Sequence, residues 1–100
     1  MTKHVKTAGE FDAAVSQGKV LVDFWATWCG PCMMMGEVLE KELEPSHPDI
    51  TVVKVNVDEA PEIAAKFGVM SIPTLICFDG GVKKREFIGV TAVAEIVSAF

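Results

Sequence analysis

Tyrosine is absent from these 100 residues, and cysteine occurs only three times. Three is an odd count. It excludes the small secreted scaffold stapled by disulfides, which carries an even set of four or more. Long apolar runs are missing too, and the longest falls far short of the roughly 20 residues that span a bilayer. Basic residues are few: nine Lys and Arg face fourteen Asp and Glu, for a formal net charge of -5. Nucleic acid and anionic membrane both reward a basic surface, so neither is expected as a partner. No long apolar stretch follows Lys3 and Lys6, so no secretion signal is visible and the cytoplasm is the expected compartment.

Half of the residues are hydrophobic, which excludes disorder. A chain of this length has room for one core. Residues 1–100 are therefore expected to form a single domain with one site, acting as a monomer.

The chain divides cleanly. Lys3–Lys6 reads as a short edge strand. Thr7 and Glu10 have the spacing of a capping box, and Phe11, Ala14 and Val15 give the following helix one apolar stripe. Gly18 ends it. Residues 20–26, Val-Leu-Val-Asp-Phe-Trp-Ala, form a nearly continuous apolar run, as in a strand covered on both faces. Asp23 is its odd member. A helical pattern follows Cys32, with Met35, Val38, Leu39 and Leu43 inward and Pro45 as its stop. Residues 50–57 are rich in β-branched residues and predict a second central strand, with Lys54 as the exception. Pro61 opens a helix and Gly68 closes it. Residues 74–78 form the next strand, Asp79-Gly80-Gly81 turns the chain, and residues 82–88 return antiparallel. Thr91 is expected to cap a last helix running to Phe100. The order β-α-β-α-β-α-β-β-α predicts an α/β fold, a mixed sheet with helices on both faces.

Two of the three cysteines, Cys29 and Cys32, stand two residues apart where a central strand gives way to a helix. A helix start offers unpaired N–H groups and the positive end of the dipole. Both favour a thiolate, the nucleophile of disulfide exchange. Cys29 falls at the very start and is expected to reach solvent, whereas Cys32 falls a turn further in. Zinc would need four ligands. The remaining candidates, Cys77, His4 and His47, form no second close pair, so no metal is expected. Cys77, between Ile76 and Phe78, reads as a core residue, and the two histidines read as surface residues.

The segment Val22-Asp23-Phe24-Trp25-Ala26-Thr27-Trp28-Cys29-Gly30-Pro31-Cys32 resembles the active-site segment of the thioredoxin family. Ser71-Ile72-Pro73-Thr74-Leu75 resembles its proline loop, and Lys54-Val55-Asn56-Val57-Asp58 its third strand. The similarity runs in order through the whole chain. It implies a three-layer thioredoxin-like sandwich and a protein-disulfide reductase. By this resemblance Cys29 attacks, Cys32 resolves, and Asp23 exchanges a proton with Cys32 under the influence of Lys54. Pro73 would follow a cis peptide bond and face the disulfide. Trp28, Gly30, Pro31, Ile72 and Gly89 would line the docking surface, with Met33 beside them. The implied partners are disulfide-containing proteins and a thioredoxin reductase of the NADPH and flavin type, with no bound cofactor beyond the Cys29–Cys32 disulfide.

The residues themselves support part of that assignment. A carboxylate and an ammonium on two adjacent apolar strands are costly unless they serve each other or a site. Two departures stand out. The family usually has a basic residue after the second cysteine, where this chain has Met33. It also has a helix-kinking proline near Glu37, where this chain has Gly36-Glu37, so a straighter helix is expected. Two other readings compete. An oxidant or isomerase of the same fold would tend to carry His between the cysteines; Gly30-Pro31 carries no charge and favours a reductant. A non-catalytic scaffold would fail to turn over a disulfide substrate.

Overall fold

The computed structural model describes residues 2–100. In chain order these form β1 (Thr2–His4), α1 (Ala8–Val15), β2 (Lys19–Trp25), α2 (Gly30–Val38), a π turn (Leu39–Leu43), α3 (Glu44–Ser46), β3 (Ile50–Asn56), α4 (Pro61–Lys66), β4 (Thr74–Asp79), β5 (Val82–Ile88) and α5 (Val93–Ser98). The five strands make one mixed sheet in the order β1-β3-β2-β4-β5. β3 runs parallel to both β1 and β2, while β4 is antiparallel to β2 and to β5.

β2 occupies the centre, and its pleat distributes two cores. Val20, Val22 and Phe24 point to one face, where Phe11 and Val15 of α1 and Ile63 and Ala64 of α4 cover them. Leu21 points to the other, against Met35, Leu39 and Leu43, with Ile96 of α5. Each fully buried aliphatic side chain contributes about 1.5–3 kcal/mol. Helices on both faces are what the buried β2 sequence requires. By the same alternation Asp23 shares the face of Leu21, beneath α2. Among the described residues no helix is long and apolar enough to cross a membrane.

Several local readings hold in detail. Thr7 and Glu10 form the reciprocal capping box. Gly80 and Gly81 both take positive φ, as a two-residue hairpin turn between right-twisted strands demands.

Others are corrected. The first strand covers Thr2–His4 rather than Lys3–Lys6, pairing Thr2 with Val52 and His4 with Lys54. Pro45 does not stop its helix, which continues to Ser46. The π turn ends at Leu43, two residues before the proline, with the Glu44 N–H bonded five residues back to the Leu39 carbonyl. This wider turn relieves the clash that a proline ring makes with a normal helical turn. The active-site helix is therefore not simply straighter; its irregularity lies at 39–43 instead of near Glu37. Thr91 does not cap α5. Ala92 holds that position, while buried Thr91 turns its hydroxyl to the Gly89 carbonyl at 3.0 Å. α5 ends at Ser98, not at Phe100.

Candidate active site

Cys29 is the N-cap of α2, in extended backbone geometry, and Pro31 stands in the first turn, where its missing N–H costs nothing. The Cys32 N–H points at Cys29 Sγ at 3.2 Å. That hydrogen bond and the helix dipole both stabilise negative charge on this sulfur once the pair is reduced. The two cysteines form a disulfide, with Cα atoms 5.2 Å apart. Cys32 is completely buried. Cys29 keeps only 6% exposure, less than its place at the helix start suggests, because the facing loop covers it.

That loop is held from several sides. The Ile72–Pro73 peptide bond is cis, and the Ile72 carbonyl oxygen lies 3.8 Å from Cys29 Sγ. The Gly89 N–H donates to the Pro73 carbonyl at 2.8 Å, which ties the end of β5 to the same loop. Pro73 itself is buried, whereas Ile72 and Gly89 are half-buried and Gly30 and Pro31 are exposed. Trp28 stands 70% exposed beside the disulfide. Its indole N–H donates to Asp58 Oδ2 at 2.8 Å. Asn56 Oδ1 in turn accepts from the backbone N–H groups of Asp58 and Glu59 and fixes that turn. A shallow cavity of about 160 Å³ lies between Trp28 and the 69–72 segment, lined also by Val57 and Met70.

Exposed apolar side chains accompany this rim: Met33 and Met34 on α2, Met70 before the proline loop, and Ile88 and Val90 around Gly89. The residue pattern did not single out Asp58 or Met70. A carboxylate two residues beyond a strand is an ordinary turn residue, and only the fold brings it to Trp28.

Asp23 and Lys54 lie opposite each other in the parallel β2–β3 register. The Lys54 ammonium stands 3.8 Å from Asp23 Oδ2 and 4.5 Å from the centre of the Trp25 ring. Asp23 is completely buried, and neither carboxylate oxygen accepts a hydrogen bond. Burial pushes its carboxyl up to about 6, against a smaller downward pull from Lys54. Asp23 therefore gains and loses its proton close to neutral pH, the property a general acid–base group needs. Cys77 is a buried member of the second core, and burial pushes its thiol up to about 11, partly offset by Arg85. It stays a thiol.

A disulfide between a helix N-cap cysteine and a fully buried partner three residues on, facing a cis-proline loop, is the site of a thiol–disulfide exchange protein. The thioredoxin family model matches residues 2–100. The chain is 54% identical over 84 residues to thioredoxin of Alicyclobacillus acidocaldarius, covering 83% of this chain and 80% of that one. It is 44% identical over 98 residues to a bifunctional thioredoxin reductase/thioredoxin of Mycobacterium leprae, covering 97% of this chain but 21% of that protein. Among solved structures, oxidised mitochondrial thioredoxin 3 of Saccharomyces cerevisiae superposes with a TM-score of 0.89 at 34% identity, over 98% of this chain and 92% of that one. The chain belongs to the thioredoxin family and is a thiol–disulfide oxidoreductase.

Proposed function

We propose that this protein reduces disulfides in other proteins by a two-step exchange in which Cys29 attacks and Cys32 resolves. The observation that carries the division of labour is the asymmetry of the pair. Cys29 keeps the exposure and receives the backbone N–H, while Cys32 keeps none.

In the first step the Cys29 thiolate attacks one sulfur of the substrate disulfide. A mixed disulfide forms, and the other substrate sulfur leaves as a thiolate that takes a proton from solvent. In the second step Cys32 gives its proton to ionised Asp23 and attacks Cys29 Sγ. The Cys29–Cys32 bond forms and the second substrate sulfur departs as a thiolate. Two electrons pass to the substrate, which becomes a dithiol. Lys54 keeps a useful fraction of Asp23 ionised. The Ile72 backbone beside Cys29 is the edge on which an extended substrate segment lies, flanked by Trp28, Gly30, Pro31, Met33, Pro73 and Gly89.

The oxidised protein is returned to the dithiol by a thioredoxin reductase, in which NADPH supplies the electrons through a flavin. The fusion of both activities in the M. leprae relative supports that partner. No tightly bound cofactor is needed beyond the cysteine pair, and residues 1–100 act as one monomeric domain in the cytoplasm. The test is turnover of a protein disulfide with dithiothreitol, and then with NADPH and a flavin-containing thioredoxin reductase. Turnover in both is expected. A folded protein inactive with dithiothreitol would be a scaffold. One that forms disulfides in reduced substrates faster than it breaks them would be an oxidant.

A further inference from the structure

We propose that Gly36 is a positioning residue for the Asp23–Lys54 pair: its missing side chain keeps the Lys54 ammonium standing at Asp23 instead of turned out towards solvent. The inference rests on the reading of Asp23 as the proton acceptor of Cys32.

Glycine is a poor choice for the interior of α2, because it costs more backbone entropy than alanine in a helix. The backbone does not ask for it, since Gly36 is not among the positive-φ glycines. Packing does. A Cβ at this position would lie 3.3 Å from Lys54 Nζ, and outside its own stretch of helix it would meet no other atom within 4 Å. The bare Cα therefore makes room for one group only, the ammonium.

That ammonium has two directions open to it. Inward lies Asp23. Outward lies a cavity of about 400 Å³ bounded by Gly36, Leu39 and Lys54 itself. The charged and titratable groups around this cavity are His4 from β1, Glu40 from the π turn and Glu44 from α3; Glu44 also accepts from the Thr2 hydroxyl. α2 presents no charge there, because Glu37 lines a separate groove with Met34 and Lys41. A Cβ at position 36 asks the ammonium to give by a few tenths of an ångström and a branched side chain by more, and the open space into which it can give is this cavity, on the side of the Glu40 and Glu44 carboxylates. Asp23 would lose the one nearby positive charge that favours its ionised form, and would hold its proton to higher pH.

The test follows the Asp23 carboxyl carbon by NMR across pH in the oxidised protein. Wild type is compared with G36A, G36V, K54M and the G36V/K54M double variant. The midpoint should rise slightly in G36A, whose Cβ asks the ammonium to give by only a few tenths of an ångström, and by on the order of one pH unit in G36V, whose larger side chain displaces it further. K54M should raise it at least as far, and the double variant should match K54M, because Gly36 acts only through Lys54. G36A raises helix propensity, so it folds even if the valine variant does not, and a purely structural glycine would give a more stable protein with an unmoved midpoint. An unmoved midpoint in the glycine variants, or additive shifts in the double variant, would overturn the proposal. The rate of mixed-disulfide release in the same proteins tests the underlying role separately. A shifted midpoint with an unchanged pH profile of release would uphold Gly36 as the positioner of Lys54 and remove Asp23 from the proton transfer.

Discussion

Trp28 and Asp58, 30 residues apart in sequence, meet at the surface: the indole N–H donates to Asp58 Oδ2 at 2.8 Å. An exposed tryptophan is otherwise free to swing. This bond fixes the ring beside the disulfide, and Asn56 fixes the turn that supplies the carboxylate.

Asp58→Ala should therefore loosen the ring. A solvent-exposed bond to a charged acceptor is worth about 1 kcal/mol, so kcat/KM for a protein disulfide should fall by about fivefold. Most of the loss should be in KM. Asp58→Asn keeps an acceptor and should recover much of it. Tyrosine is absent, so emission comes from Trp25 and Trp28 alone, and a drop in fluorescence anisotropy would report the released indole. Unchanged kinetics and anisotropy in Asp58→Ala would show that packing alone holds Trp28.

The cysteines should divide as their burial suggests. Cys29→Ser should abolish reduction of a protein disulfide. Cys32→Ser should attack and then stall as a mixed disulfide, visible as an adduct by mass spectrometry and released by dithiothreitol. Adducts that accumulate only in Cys29→Ser would reverse the assignment. Cys77→Ala should leave turnover intact.

Asp23 should oppose stability and serve turnover. Its carboxyl is pushed up to about 6 by burial, above its value in an unfolded chain, so the native state holds a proton that the unfolded state releases. The contribution of Asp23 to stability is then greatest at low pH, falls as pH rises from about 4 to 6, and stays lower above that. Asp23→Ala removes the penalty. At pH 7.5 denaturant unfolding should show a gain of about 1–3 kcal/mol, shrinking towards pH 4, while release of the mixed disulfide slows. A less stable variant with an unchanged release rate would make Asp23 a structural ion-pair member.

Met33 occupies the second turn of α2 at 43% exposure, close to the thiols and without charge. Met33→Lys should favour the thiolate form of reduced Cys29 through added positive potential. Alkylation of the reduced protein across pH measures this directly. Rates with reductases should change while stability stays within about 0.5 kcal/mol. Identical alkylation profiles would mean that solvent screens the position.

The alternating elements, the buried central strand and the cysteine pair at a helix start were all legible in the sequence, because each depends on local spacing. What was not legible depends on pairing across distance. Pro45 reads as a stop, yet the chain runs through it, with the π turn Leu39–Leu43 followed by the helical turn Glu44–Ser46. Thr91 reads as a helix cap, but tertiary packing buries it, and its backbone N–H points at Met35 Sδ at 3.3 Å. Asp58 carries no local mark of its contact with Trp28. Asp23 and Lys54 each stood out as a charge in an apolar strand. Their 3.8 Å approach follows from sheet register, which no single segment encodes.

That register limits how far this chemistry can be moved. The stretch from Trp28 to Cys32 is a portable unit in one sense, since any helix start fitted with it would carry two thiols and a dipole. The carboxylate does not travel with it. Asp23 reaches its place only because β2 is clamped between β3 and β4, with Lys54 opposite on one side and Leu75 on the other. Shifting either pairing by one residue would turn the carboxylate to the opposite core, away from α2. A graft of the five residues would inherit the two thiols and leave the buried carboxylate behind.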